Sequence, residues 1–594
     1  MRILVLIVAL GLLLIAPGCA QHERFGHDPA IQYPTNHAFN PPYAIGKYGG
    51  GLTEANIGDP KTFNTWIATD ATSSQVGGMM TDSLEGRDGF TLQFQPRLAY
   101  LPKISKDGLV YTYTLRPGLR WSDGAPLTAD DVVFTFKLIF DPSIQTPIRE
   151  GLLVDVPQPG GSFKSEPFQV KEIDKRTIQF ILPAKWAPAE NAIGSTPIAP
   201  EHTLEPIYKA GNFNSAWGID TPPSKFVGCG PFMMTQYAPM QRIVYKPNPY
   251  FWGRAANGGR LPYLSNFTYV ITPDLNAMVL NFRAGGSDLI GVPAQQHGIV
   301  AQYAQRDDYT MIDAGADWGF SYLCFNMNPT SSMDKRLLKL FSDARFRQAC
   351  SYAIDRKAIC NSVFLGLAHP LYSPETPADV NYFDPNVKKY PYDVARAKAL
   401  LLAAGCTAGA DGMMQYEGKP ISFDILTNVE DPARVGMATI VANDLRAIGL
   451  DAQFTPVNFN SLITKLDGKP YDWQACILGF TGGPEPNDGA VIWRSDGPYH
   501  QWWPNQAKPA TSWEARIDRD FSLGARTVSI KKRKVYYDDW QETLGIEQPM
   551  IFLVYQDDYY ALRNHFANIR PSAAGGVTWN IEDIYDTHAT RPTP

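Results

Sequence analysis

The residues able to do chemistry are plentiful in this chain, but they are scattered. Nine histidines are spread along it, and none stands in an H-x₃-H or H-x₂-H pair, so no metal centre is expected. His500, close to Trp502 and Trp503, reads as a surface-loop residue. Beyond Cys19 there are six cysteines, Cys229, Cys324, Cys350, Cys360, Cys406 and Cys476. No CxxC and no Cys/His spacing suits structural zinc, and the spacings leave disulfide pairing open. No phosphate-cradling P-loop, G-x-S-x-G elbow or zincin helix is present. Paired acids for glycoside hydrolysis could be assembled only from distant positions. A binding role is therefore expected rather than catalysis, with no cofactor. Trp473 and Trp493 are candidates for stacking on a sugar or an aromatic side chain, although a tryptophan also serves as core.

These residues need elements to position them. Leu109–Leu115 alternates with period two, Leu109, Tyr111, Tyr113 and Leu115 facing one way, which predicts a strand. Thr128–Asp131 is a capping-box start for a helix running to Phe140. Further helices are expected after Ser342, over Val394–Ala404 between Asp393 and Gly405, after Asp431-Pro432 up to Gly449, and over Thr527–Leu544. Leu450–Val457 and Met550–Tyr555 read as strands. Helices and strands alternate from about residue 320 onward, which indicates α/β layering.

The composition bounds the rest. Of 594 residues, 44% are hydrophobic, 12% aromatic and 19% charged, with a formal charge of −6. Such a chain is not disordered, and without clustered positive charge it is not expected to bind nucleic acid. Its length calls for two or three domains. Arg2 followed by the apolar run Ile3–Ile15 is shorter than the roughly 20 residues of a spanning helix and reads as a signal over residues 1–18. Ala16-Pro17-Gly18-Cys19 resembles a lipobox, which would lipidate Cys19 and tie the chain to a membrane surface, while Gly18-Cys19-Ala20 also fits a small-x-small site for ordinary signal peptidase. Residues 19–47 read as a tether.

The segment Leu98–Pro142 carries a family resemblance. Lys106-Asp107-Gly108-Leu109-Val110-Tyr111-Thr112-Tyr113-Thr114-Leu115-Arg116, Trp121-Ser122-Asp123-Gly124 and Leu127-Thr128-Ala129-Asp130-Asp131-Val132 resemble the signature of family 5 extracytoplasmic solute-binding proteins, the peptide/nickel-type receptors of ABC importers. Asn56–Pro60, Val227–Phe232 (with Cys229 in place of Thr), Lys246–Trp252 and Asp343–Arg356 follow in the family's order.

The resemblance implies an α/β, two-lobe periplasmic-binding-protein clamp (type II, cluster C-like) with an extra inserted domain and a two-segment hinge. The first lobe would be 48–87, 225–315 and 551–594, the inserted domain 88–224, and the second lobe 316–550. It also implies hinge closure on a ligand, a permease as partner and a monomeric receptor. First-lobe ligand candidates are Asn56, Thr62, Phe63, Asn64 and Trp66. Second-lobe candidates are Asn428, Phe480, Thr481, Gly482 and Gly483, with Trp493. Peptide-binding relatives hold the ligand's ammonium on an Asp whose place here is Gly483, leaving Glu485 and Asp488 as the nearest acids. Dipeptide-specific relatives hold the carboxylate on an Arg missing from Thr427–Arg434, and Arg434 reads as a solvated helix charge. The expected ligand is thus an oligopeptide or a modified peptide rather than a free dipeptide. An oligosaccharide is the alternative, with a nickel or haem receptor or a sensor-associated role behind it.

Overall fold

A computed structural model describes residues 43–159 and 163–590. Cys19 and the expected signal lie outside them. The strands that matter below are β1 (Gly51–Ile57), β2 (Ala99–Ile104), β3 (Val110–Leu115), β4 (Gln169–Asp174), β5 (Thr177–Ile181), β6 (Phe232–Ala238), β7 (Arg242–Pro247), β8 (Asn266–Thr272), β9 (Leu289–Gly291), β10 (Tyr309–Ala316), β11 (Phe320–Phe325), β12 (Ala368–Pro370), β13 (Ser422–Asn428), β14 (Asp451–Val457), β15 (Ala475–Phe480) and β16 (Met550–Arg563). Among the helices, α1 is Ala129–Phe140, α2 Ala344–Ala353, α3 Val394–Ala403, α4 Pro432–Ala447 and α5 Ile530–Glu547.

One 12-stranded mixed sheet runs β6-β7-β8-β1-β9-β16-β11-β15-β13-β14, with β10 and β12 also paired to β16. The key element is β16. Its first half lies against β11, Cys324 opposite Met550 and Ser321 opposite Val554. Its second half lies against β10, Ala316 opposite Asp557 and Tyr309 opposite Arg563. The chain therefore crosses between two halves of the sheet twice, at Asp317–Gly319 and within β16 near Gln556. These are the two hinge segments of a two-lobe clamp. They are tied by Asp317 N–H donating to Gln556 O at 2.8 Å. Sequence periodicity showed only the apolar Met550–Tyr555 portion of β16. Beyond it Gln556, Asp557 and Asp558 interrupt the hydrophobic run while the ladder continues.

Each lobe has its own large core. One is built around Phe325, Phe341, Phe346 and Phe423. The other runs without a break from Leu52 and Phe267 through Tyr113, Phe136 and Phe180. The latter includes the four-stranded sheet β2-β3-β5-β4. On β3, Tyr111, Tyr113 and Leu115 are buried, as the alternation predicts. Helix α1 starts as expected: Thr128 N–H donates to Asp131 Oδ2 at 2.8 Å, closing a capping box. Asp393 and Asp431 cap α3 and α4. Two boundaries differ. Asp343, not Ser342, caps α2, accepting from Arg345 N. Helix α5 begins at Ile530 rather than Thr527 and ends on Gln548 in the left-handed region, φ 50°. A capping box at Thr511/Glu514 opens a helix over Ser512–Gly524 that the apolar pattern did not show.

Candidate functional site

A cavity of about 770 Å³ lies between the lobes. The first lobe supplies Arg87 and the C-terminal wall of Arg570, Trp579 and Asp583, joined by Arg97 from the 88–224 segment. The second supplies Trp318 and Gly482-Gly483-Pro484. The tip after β15, Gly482-Gly483, thus reaches the cavity. Gly482 is required by close approach: a Cβ there would sit 2.3 Å from Trp318 O. Gly483 has nothing within 4 Å of that position. A second, smaller cavity of about 180 Å³ is lined by Asp317, Arg434, Gly479, Phe480 and Thr481. Asn428 stands beside it, its Oδ1 accepting from Arg434 Nη1 at 2.9 Å. Arg434 is therefore folded back over the strand ends, not splayed into solvent from α4.

The first-lobe candidates separate from the cavity. Phe63, Asn64 and Trp66 are fully buried. Phe63 packs on Phe226 and Tyr237. Asn64 Nδ2 donates to Phe213 O and Ala216 O, each at 3.3 Å, and Trp66 Nε1 donates to Pro197 O at 2.8 Å. Thr62 Oγ1 accepts from Asn64 N at 3.1 Å. These residues fasten the first lobe to the 197–217 segment. Asn56, at the end of β1, is engaged by Gln75, its Nδ2 donating to Oε1 at 2.6 Å. Aromatic and amide residues clustered in sequence serve packing as readily as a ligand, and the packed partners lie too far away in sequence to be foreseen.

Three second-lobe expectations are also corrected. Trp493 is core, stacked on Phe320 and packed on Trp540. Glu485 is buried and gripped by Arg533 of α5, whose Nη1 donates to Oε2 at 2.8 Å and whose Nη2 reaches Oε1. Both side chains are 5% exposed, so Glu485 is spent on this pair. His500 is fully buried rather than on a surface loop. Its Nδ1 faces Ile492 O at 3.0 Å and its Nε2 faces Glu514 Oε1 at 3.4 Å. Burial alone would raise the Glu514 carboxyl, but hydrogen bonds from His500, Gln506, Trp502 and Thr511 outweigh it and draw it down to about 2.

Asp488 behaves differently. It keeps solvent access, yet its packed surroundings, reinforced by Glu485, raise its carboxyl to about 7 against the opposing pull of Arg87 and Arg533. Arg87 faces it from the first lobe and is held by Asn191 Oδ1 at 2.9 Å and Leu92 O at 2.7 Å. At the hinge, burial and then Asp317, Asp557 and Asp313 push the Asp558 carboxyl up to about 7. Trp318 and Trp579 add apolar faces to the cavity, and Trp318 Nε1–H has no acceptor among the described residues. Neither tryptophan was singled out from sequence, because the hinge crossing and the C-terminal wall carry no periodic pattern. Among the described residues no group of His, Cys, Asp and Glu could hold a metal ion.

A family profile described as "Bacterial extracellular solute-binding proteins, family 5 Middle" matches residues 93–500. The chain belongs to this family. The oligopeptide-binding protein AppA of Bacillus subtilis is 27% identical to this family 5 protein over 527 residues, 86% of this chain and 88% of that one. The structure of AppA from Bacillus subtilis in complex with a nonapeptide matches with a TM-score of 0.73 at 26% identity, covering 91% of this chain and 100% of the other. The periplasmic binding protein MelB of Agrobacterium fabrum C58 in complex with stachyose has the same fold, with a TM-score of 0.73 at 19% identity over 92% of this chain and 86% of its own. Family 5 proteins are extracytoplasmic binding receptors, and no helix among the described residues is long and apolar enough to cross a membrane.

Proposed function

We propose that this family 5 protein captures oligopeptides or modified peptides in the interlobe cavity and delivers them to an ABC permease. The observation that carries the reading is the 770 Å³ cavity walled by both lobes, toward the upper part of the roughly 300–1,000 Å³ usual for small-molecule sites. A ligand touching both walls favours closure by its differential affinity for the closed state. The likeness to AppA supports a peptide. Gly483 in place of an ammonium-binding Asp supports a ligand held by its backbone rather than by a free amino end. Residues 88–224 are read as the inserted domain, Cys19 as a lipid anchor, and the receptor as a monomer without catalytic activity.

A second reading, an oligosaccharide ligand, is favoured by one feature, the pair Trp318 and Trp579 on opposite walls, which could stack on sugar faces. Thermal shift with a peptide library and an oligosaccharide library separates the two, because a ligand of the native state stabilises by RT ln(1 + [L]/Kd). A rise in Tm with peptides of several residues and none with sugars is expected. The reverse moves the assignment to sugars, and no shift with either at millimolar concentration removes both. Gly483→Asp, for which there is space, is expected to strengthen binding of free-amine peptides by roughly tenfold, as one charge-assisted hydrogen bond would. Unchanged affinity would displace Gly483 from the amino-end subsite.

A further inference from the structure

Cys324 on β11 and Cys476 on β15 stand directly opposite each other. The antiparallel register around them is unbroken, from Phe320 opposite Phe480 to Phe325 opposite Ala475. Directly opposed residues share one face of the sheet, with Cα atoms about 4.5–5.5 Å apart and Cβ atoms at similar spacing. A disulfide accepts Cα separations of about 4.4–6.8 Å and Cβ separations of about 3.5–4.5 Å. The register alone meets the first condition, and a small inward movement meets the second. Both residues are thiols in the structure and fully buried. The Cys324 thiol is turned toward the carbonyls of Pro549 and Phe325, at 3.6 and 3.7 Å. Burial, then the adjacent Cys476 thiol, raises its pKa well above the ordinary thiol value.

The other cysteines lack this arrangement. Cys350 lies on α2 and Cys406 follows α3; they are close enough for Cys406 to raise Cys350, but no shared ladder sets their spacing. Cys360 is on the helix Arg356–Ser362 and Cys229 on the turn before β6.

We propose that Cys324 and Cys476 become a cross-strand disulfide when the protein folds outside the cytoplasm. The inference rests on the extracytoplasmic placement of the family, where disulfides form and persist. The oxidant is a disulfide, borne by a protein or by a small molecule. One cysteine thiolate attacks it and releases one thiol. The second thiolate attacks the mixed disulfide and releases the other. The pair loses two protons and two electrons, and the oxidant is reduced to two thiols. Thiols buried in apolar surroundings are inert, so the bond forms while the edge between β11 and β15 is still open. Once made, it ties the strand leaving the hinge at Phe320 to the strand whose end carries Phe480–Gly483 to the cavities.

The test uses the full chain exported from a bacterial host behind a secretion leader. The protein is denatured in iodoacetamide without reductant and digested, and the peptides are weighed. The expected result is one species joining the peptides of Cys324 and Cys476, which separates in two on reduction. Recovery of both peptides apart, each alkylated, overturns the proposal. Should the chain remain in the cytoplasm, it is the placement that has failed. The reduced, denatured chain is then refolded in oxidised and reduced glutathione, where the same linkage supports the pair and two alkylated peptides overturn it.

Discussion

At the residue scale, the acids near the cavity divide by their partners. Glu485 is held by the buried guanidinium of Arg533. Asp488, three residues on, stays exposed, and its surroundings and Glu485 raise its carboxyl to about 7. An acid whose folded pKa lies above its unfolded value binds its proton more tightly when folded. It therefore contributes stability that is full below the unfolded value, near 4, and is lost as pH rises through about 7. The Asp379 carboxyl, also raised to about 7 by burial and Glu485, works in the same direction. The Tm of the ligand-free protein is thus expected to fall between pH 5 and pH 8, and Asp488→Asn should make that fall shallower while leaving the value at pH 5 almost unchanged. Equal slopes for the variant and the parent would show that Asp488 meets bulk water and takes no part in the interlobe surface. Sequence named Asp488 as a nearby acid but could not separate it from Glu485. The difference is Arg533, which lies 48 positions away on α5.

At the element scale, the legible parts were those with a local cause. The period-two run of β3, the capping box of α1 and the Asp caps of α3 and α4 are written within a few residues and fold as read. The two-lobe clamp was legible only through the block order of the family. The sheet that builds it joins β1 to β9 and β16, segments hundreds of positions apart. The site was half legible for the same reason. Gly482 and Gly483 sit on a glycine turn that the family block order placed, whereas the opposite wall, Arg570–Asp583, is irregular backbone placed by long-range contacts. The turn after β15 makes its own prediction. Since a Cβ on residue 482 would meet Trp318 O at 2.3 Å, Gly482→Ala must displace either the turn or the hinge tryptophan. Such overpacking costs about 1–3 kcal/mol, and here it falls on the cavity wall. Ligand affinity is expected to drop by at least tenfold in calorimetric titration, while Gly483→Ala is tolerated. Equal affinities for the two variants would mean that the turn does not shape the bound state.

At the scale of the whole molecule, closure has contacts of its own outside the cavity. Asp155, on the strand Val154–Pro157 next to the β2-β3-β5-β4 sheet, is joined to Arg494 of the second lobe, both side chains 17% exposed. Ala187 N–H donates to Ala525 O in the same region. Hinge opening must break both, because one partner moves with each lobe. In the open state Arg494 keeps Asp496, to which it already donates at 2.9 Å, so opening does not strand a buried charge. The net contribution of the cross-lobe pair is then the modest part of a charge-assisted hydrogen bond, about 1–1.5 kcal/mol. Asp155→Asn removes it from the closed state alone. Dissociation of a bound peptide, followed by stopped-flow fluorescence, should accelerate by roughly five- to tenfold, with a smaller effect on association. Because a partly exposed ion pair is screened by salt, the parent should approach the variant's dissociation rate as ionic strength rises, while the variant responds weakly. A variant that releases peptide at the parent's rate at low salt would show that the cavity contacts alone hold the lobes together.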